Sequence, residues 1–212
     1  MPLSSEDFED AATSARGIEL KLHLPQGFIV GLMSETDWGF VIKLNAVFES
    51  LLNMSLTCLL RAVHENGLKE VIVRLDMADI RRGKVAIAAK LNLIGPEDRR
   101  FLEALAELRN SLAHTVENLN FDFEAWVALM DDRKRKEWTK KFTSDVFNIG
   151  QPVKFADDPR DFVFCGAVNV MEKIECSLPP AFLQDLRREA EFDLKDLLPP
   201  GESSEEGGSE DV

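Results

Sequence analysis

The sequence predicts an all-α protein, a helical bundle of about five to seven helices. Three observations carry that expectation. Apolar residues recur at spacings of three and four along most of the chain, and only one short stretch alternates. Proline and Ser, Thr or Asp stand where these runs begin, and glycine where they stop. At 212 residues, 45% hydrophobic and 30% charged, the chain can bury one good core. It reads as a single helical domain over 17–198, between an acidic arm (1–16) and an acidic tail (199–212), both expected to be disordered.

Taken in order, residues 1–16 are polar and acidic, without period. Gly17 to Leu24 places Ile18, Leu20, Leu22 and Leu24 against Glu19, Lys21 and His23, a strand-like alternation or an extended arm packed on helices. Ser34-Glu-Thr-Asp37 has the form of a capping box and opens the longest helical pattern, with Val41, Leu44, Phe48, Leu52 and Leu56 along one stripe to about His64. Asn66-Gly67 stops it. On this helix Glu49 and Asn53 lie four apart beside the apolar stripe, where a solvated edge is the plain reading. Lys69 to Met77 fits a short helix, and Asp79-Ile-Arg-Arg-Gly-Lys84 a polar connector. Lys84 to Leu93 fits another helix, ended by Gly95-Pro96. A charged knuckle, Asp131 to Glu137, follows a helical run from Phe123 to Met130. Asn148 to Pro152 is a loop, and Asp157-Asp-Pro159 starts a further helix. Ala181 to Leu198 is the last amphipathic run.

Charge narrows the functional classes. A formal net charge of -13 argues against a broad basic face for nucleic acid, though not against a small basic pocket. The one basic cluster is Arg133-Lys-Arg-Lys136, with Lys140 and Lys141 a turn on. It is either a solvated helix face balanced by Asp131, Asp132 and Glu137, or a patch that steers phosphate. Cys58, Cys165 and Cys176 are three widely spaced cysteines in apolar surroundings, as expected of buried free thiols in a reducing cytoplasm. No secretory leader or membrane-length apolar run is apparent, and three histidines make a histidine-rich metal site improbable, so no metal and no cofactor is expected. There is no Gly-rich phosphate loop, no Gly-x-Ser-x-Gly and no His-Glu-x-x-His.

What remains is the stretch 95–117. Pro96 followed by Glu97 and Asp98 begins a helix, with carboxylates against the positive end of its dipole. Leu102, Leu105, Leu108 and Leu112 form its apolar stripe, and Arg109, Asn110 and His114 stand out against it. Asn110 and His114 lie four apart on one face, whereas Arg109 and His114 are separated by about 140° at ~100° per residue. Arginine and histidine meet at one ligand only if the helix ends or distorts near Leu112, or if a second copy supplies a partner. A purely structural role is also open: Asn110 and His114 capping the helix end, with Arg109 bound to Glu107 or Asp122.

Arg109-Asn-Ser-Leu-Ala-His114, at the end of an apolar helix, resembles the signature of HEPN-type helical bundles. With Arg82-Gly-Lys-Val-Ala-Ile and Leu91-Asn-Leu-Ile-Gly-Pro before it, the arrangement over roughly 34–130 is similar to the mannitol operon repressor-like branch of such bundles. The resemblance implies a homodimer whose two Arg/His pairs meet in a cleft. Active members are metal-independent ribonucleases of toxin or defence systems, held in check by an inhibitory or regulatory protein partner. In that scheme His114 is general base or acid at the ribose 2′-hydroxyl, Arg109 holds the scissile phosphate and Asn110 orients the pair. Glu49 would face the same cleft, and Arg81, Arg82, Lys84, Arg133, Lys134, Arg135 and Lys136 are the candidate suppliers of positive charge. The alternative is a non-catalytic transcriptional regulator, like the mannitol repressor, or a helical protein-interaction module.

Overall fold

The computed structural model describes residues 5–22, 24–61, 68–79, 81–114, 116–143 and 155–178. Among them the chain is all-α, with no strand. The elements are α1 (Ser5–Leu22), α2 (Phe28–Gly31), α3 (Asp37–Arg61), α4 (Leu68–Val73), α5 (Lys84–Lys90), α6 (Pro96–Ala113), α7 (Phe123–Ala128), α8 (Asp132–Phe142) and α9 (Pro159–Cys176). Short 3₁₀ turns occupy Leu32–Ser34 and Val116–Asn120.

Local chemistry sets most helix starts. The Thr36 hydroxyl accepts from the Gly39 N–H at 3.1 Å and opens α3, so the cap sits two residues later than the expected box at Ser34. Asp98 reaches back to accept from the Gly95 N–H at 2.9 Å, and Pro96 occupies the first turn of α6. Asp122, Asp131 and Asp158 cap α7, α8 and α9 in the same way, accepting from Ala125, Lys134 and Asp161.

Packing is organised on α3 and α9. The long helix α3 runs antiparallel to α6: the Trp38 indole N–H donates to the Leu112 carbonyl at 3.4 Å near one end, and Phe48 meets Phe101 edge-on at 6.0 Å near the other. Helix α9 is buried along most of its length, from Phe162 to Ile174. At Gly166 a Cβ would stand 2.8 Å from the Phe101 ring, so the absent side chain is what lets α9 approach α6. An aromatic run, Phe121, Trp126, Trp138, Phe142 and Phe155, joins α7 and α8 to this core by successive ring contacts at 4.9 to 5.9 Å.

Three expectations need correction. The segment read as an acidic arm followed by a strand is helix α1 from Ser5 onward, packed on α9 and α2. Ala12, Ala15 and Ile18 are buried at a spacing of three. Leu20, which alternation would turn inward, is 72% exposed. Glu19, assigned by alternation to the solvent side, is 1% exposed, and its carboxylate accepts from the Gly27 and Ile29 N–H groups at 2.7 and 2.6 Å. The charged knuckle is helix α8, started by Asp131 and carrying Lys140 and Lys141 in its last turn. With α1, α2 and α8 added, nine α-helices stand among the described residues rather than five to seven. His64, the Asn66-Gly67 stop, the 148–152 loop, the 181–198 run and the tail lie outside the described residues. Among those residues no helix is long and apolar enough to cross a membrane.

Candidate functional site at the end of α6

Helix α6 is regular through Ala113, and His114 follows as its C-cap in near-helical conformation, φ −95° and ψ −4°. The distortion that would bring Arg109 and His114 together within one chain is absent, and their directions stay about 140° apart. Arg109 is half-buried, and its guanidinium donates to the Asn110 amide oxygen at 3.0 Å. Asn110 and His114 are both exposed on the outer side of the helix.

The orphan carbonyls that end a helix need partners, and here other residues supply them for two, Ser111 and Leu112. Asn118 donates to the Ser111 carbonyl at 2.8 Å, and Trp38 serves Leu112. Glu107 and Asp122, the two acids expected as partners for Arg109, are taken elsewhere. Glu107 binds Lys141 at 2.9 Å, and Asp122 caps α7. Among the described residues Arg109 has no ion pair, and the His114 imidazole has no hydrogen-bond partner. Neither Trp38 nor Asn118 was suggested by the motif. The one available signal was an amide seven residues past Ser111, in a stretch already rich in turn residues.

Glu49 has a different employment. Its half-exposed carboxylate pairs with Lys84, a fully buried lysine at the first position of α5, whose ammonium also donates to the Val73 carbonyl at 3.3 Å. The pair ties α3 to the loop before α5. That loop is built by Asp76 and Asp79, each accepting from two backbone N–H groups, and those of Arg82 and Arg81 hold the Asp79 carboxyl below its ordinary value. Arg81 and Arg82 themselves are exposed.

The basic cluster lies along α8, which packs against α6. Arg133, Lys134 and Lys136 are exposed. Arg135 is half-buried and turned back to the Met130 carbonyl at 3.1 Å and to Asp132 at 3.3 Å. Lys141 bridges Glu107 and Glu137 and sits 4.5 Å above the Trp138 ring. Burial works against its charge, but the two carboxylates outweigh that and raise its pKa above the ordinary lysine value. Helices α6, α7 and α8 enclose an open groove of about 470 Å³, lined by Ser111 of α6, Trp126 and Leu129, and Lys134 and Trp138 of α8.

The chain matches no family model, no curated protein and no solved structure. The site has therefore to be judged on its own geometry. Three of its members are joined or aligned: Arg109 with Asn110, and Asn110 with His114 one turn on. The α8 cluster stands beside α6 through Lys141 and Glu107, while Glu49 is held by Lys84. Among the described residues no group of three or more His, Cys, Asp or Glu side chains is placed to hold a metal ion. None of the three cysteines is in a disulfide among the described residues: Cys58 is buried, Cys165 half-buried and Cys176 exposed, the last against the expectation of burial.

Proposed function

We propose that this chain acts on RNA as a metal-independent endoribonuclease, with the Arg109, Asn110 and His114 groups of two copies completing one cleft. The observation that carries the reading is that these three side chains are spared from structural duty. Trp38 and Asn118 bind two of the carbonyls at the end of α6, Lys141 takes Glu107, and the polar motif is left at the surface of an apolar helix with its imidazole unpartnered among the described residues. A histidine titrates near neutral pH and exchanges protons with a ribose hydroxyl. A guanidinium forks onto phosphate oxygens and stabilises charge as it develops there.

In the reaction, the imidazole of His114 accepts the 2′-hydroxyl proton while that oxygen attacks the adjacent phosphorus. The P–O5′ bond breaks as the new P–O2′ bond forms, leaving a 2′,3′-cyclic phosphate. The departing 5′-oxygen takes a proton from a second donor, for which the imidazolium of the other copy is the natural source. Arg109 holds the non-bridging oxygens, and Asn110, already bonded to the guanidinium, fixes its direction.

A second reading is favoured by one observation. On an undistorted helix Arg109 and His114 diverge, so a monomer has no convergent site, and a non-catalytic helical regulator or interaction module then fits better. The deciding experiment is RNA cleavage by wild type beside His114→Ala and Arg109→Ala, with chelator present and the oligomeric state measured by light scattering. A dimer whose cleavage falls at least about 10²-fold in both folded variants supports the nuclease. A monomer inert on several RNAs supports the regulator.

A further inference from the structure

The groove between α6, α7 and α8 has features that the motif does not use. We infer that it is a binding subsite for single-stranded RNA, seating a nucleobase against Trp126, Trp138 and Leu129 with the neighbouring phosphate on Lys134. This assignment rests on the RNA reading above and places the strand relative to His114.

Position comes first. Glu107, Ser111 and His114 follow one another on α6 at spacings of four and three, so they share one side of the helix. The first two line the groove, and a strand lying in it runs toward the exposed imidazole. Shape and chemistry come next. Its volume, about 470 Å³, suits a single base with its sugar rather than a duplex. Leu129, 88% exposed, stands at its rim, a large apolar side chain with nothing to cover it among the described residues. The indole N–H groups of Trp126 and Trp138 donate to nothing among the described residues, so two hydrogen-bond donors remain available to base edges. Lys141 bridges Glu107 and Glu137, which offsets one of the groove's two acidic charges and fixes its floor, and Lys134 balances the other.

Electrostatics choose between occupants. Helix α8 carries six basic side chains against two acidic ones, in a chain of net charge -13. Arg133, Lys134, Lys136 and Lys140 of α8 are exposed and free of ion pairs among the described residues. A polyanion that also presents flat apolar groups matches this combination. Single-stranded nucleic acid does so at every residue, whereas an acidic polypeptide offers charge without bases.

The test uses the full chain bearing His114→Ala, so that nothing is consumed, and a fluorescein-labelled oligouridylate followed by anisotropy and tryptophan fluorescence. Binding with quenched tryptophan emission is expected. Lys134→Glu should weaken it at least about tenfold and flatten its salt dependence by about one counterion or more, and Leu129→Ser about threefold. Both residues are exposed, so the folds should be intact by circular dichroism. Lys69→Glu on α4, also exposed, is the control and should change affinity less than about twofold. Equal losses in Lys134→Glu and Lys69→Glu, unquenched tryptophan, or displacement of the RNA by polyglutamate as readily as by unlabelled RNA would overturn the subsite. Binding that shows these features with no cleavage by wild type keeps the subsite and removes the nuclease. Cleavage whose KM ignores both groove variants does the reverse.

Discussion

Arg160 and Arg109 are both half-buried arginines on long helices, and they are used in opposite ways. Arg160, in the first turn of α9, donates to the Asp37 carboxylate at 2.7 Å and to the carbonyls of Leu32, Met33 and Glu35 at 3.0, 3.0 and 2.7 Å. Its guanidinium also lies 5.1 Å from the Phe40 ring centre, and Asp37 accepts in turn from the Phe123 N–H at 2.7 Å. One side chain thus fastens α9, α3, the 3₁₀ turn before α3 and, through Asp37, the start of α7. Among the described residues Arg109 makes a single hydrogen bond, to its own neighbour Asn110. A guanidinium with four satisfied acceptors is structure. One with a single neutral acceptor still has donors to give to a ligand.

The largest expected effect breaks that contrast directly. Arg160→Ala leaves Asp37 half-buried and unpaired and strips three carbonyls, at a cost of about 3–5 kcal/mol. The melting temperature should fall by roughly 10 °C. Arg109→Ala should cost less than about 0.5 kcal/mol and move melting by under about 2 °C while RNA cleavage collapses. Comparable melting losses in the two variants would make Arg109 a structural arginine and remove the support for the catalytic reading.

Next comes Glu49, whose commitment resembles that of Arg160. Glu49→Ala strands the buried Lys84 ammonium and should destabilise by about 3 kcal/mol, read from chemical denaturation. The substitution Glu49→Ala with Lys84→Met should recover most of that loss, because a buried methionine needs no counter-charge. Failure of the double variant to recover would return Glu49 to the list of ligand-facing groups.

The smallest effect is a pH dependence beside Arg160. Burial, and then the neighbouring Asp158 carboxyl, push Asp161 from 3.8 to about 6, against the pull of Arg160. Below pH 3.8 the group is protonated in both states and adds nothing. Between 3.8 and about 6 the folded protein keeps a proton that the unfolded chain releases, so its contribution to stability falls as pH rises. Above about 6 the folded state holds an ill-placed charge. Asp161→Asn should therefore gain on wild type as pH rises through that window and then level off. The group is partly open to solvent, so the gain is on the order of 1 kcal/mol, or about 2–4 °C in melting temperature. A constant difference across the window would assign the effect to packing instead.

Helix starts were legible because their causes are local. Pro96 with Asp98, Asp122, and Asp158 with Pro159 each act within about one turn, and a capping carboxylate needs only its own backbone. The apolar stripe of α6 and its polar exception were legible for the same reason. What could not be read was which polar groups would be consumed. Glu19 crosses eight and ten residues to reach Gly27 and Ile29, Lys84 finds Glu49 thirty-five residues back, and Arg160 finds Asp37 at a separation of 123. The alternation at Ile18 and Leu20 misled because α1 is chosen by its burial on α9, and period two over a few residues is weak against that contact. By itself, then, the sequence determined the helical class, most of the helix boundaries and the identity of the odd motif on α6, all of them short-range consequences of spacing and capping. Only the tertiary structure decided that Trp38 and Asn118 would finish α6 and that Lys141 would occupy Glu107. Those pairings depend on which helices pack side by side, and that packing left Arg109, Asn110 and His114 unspent.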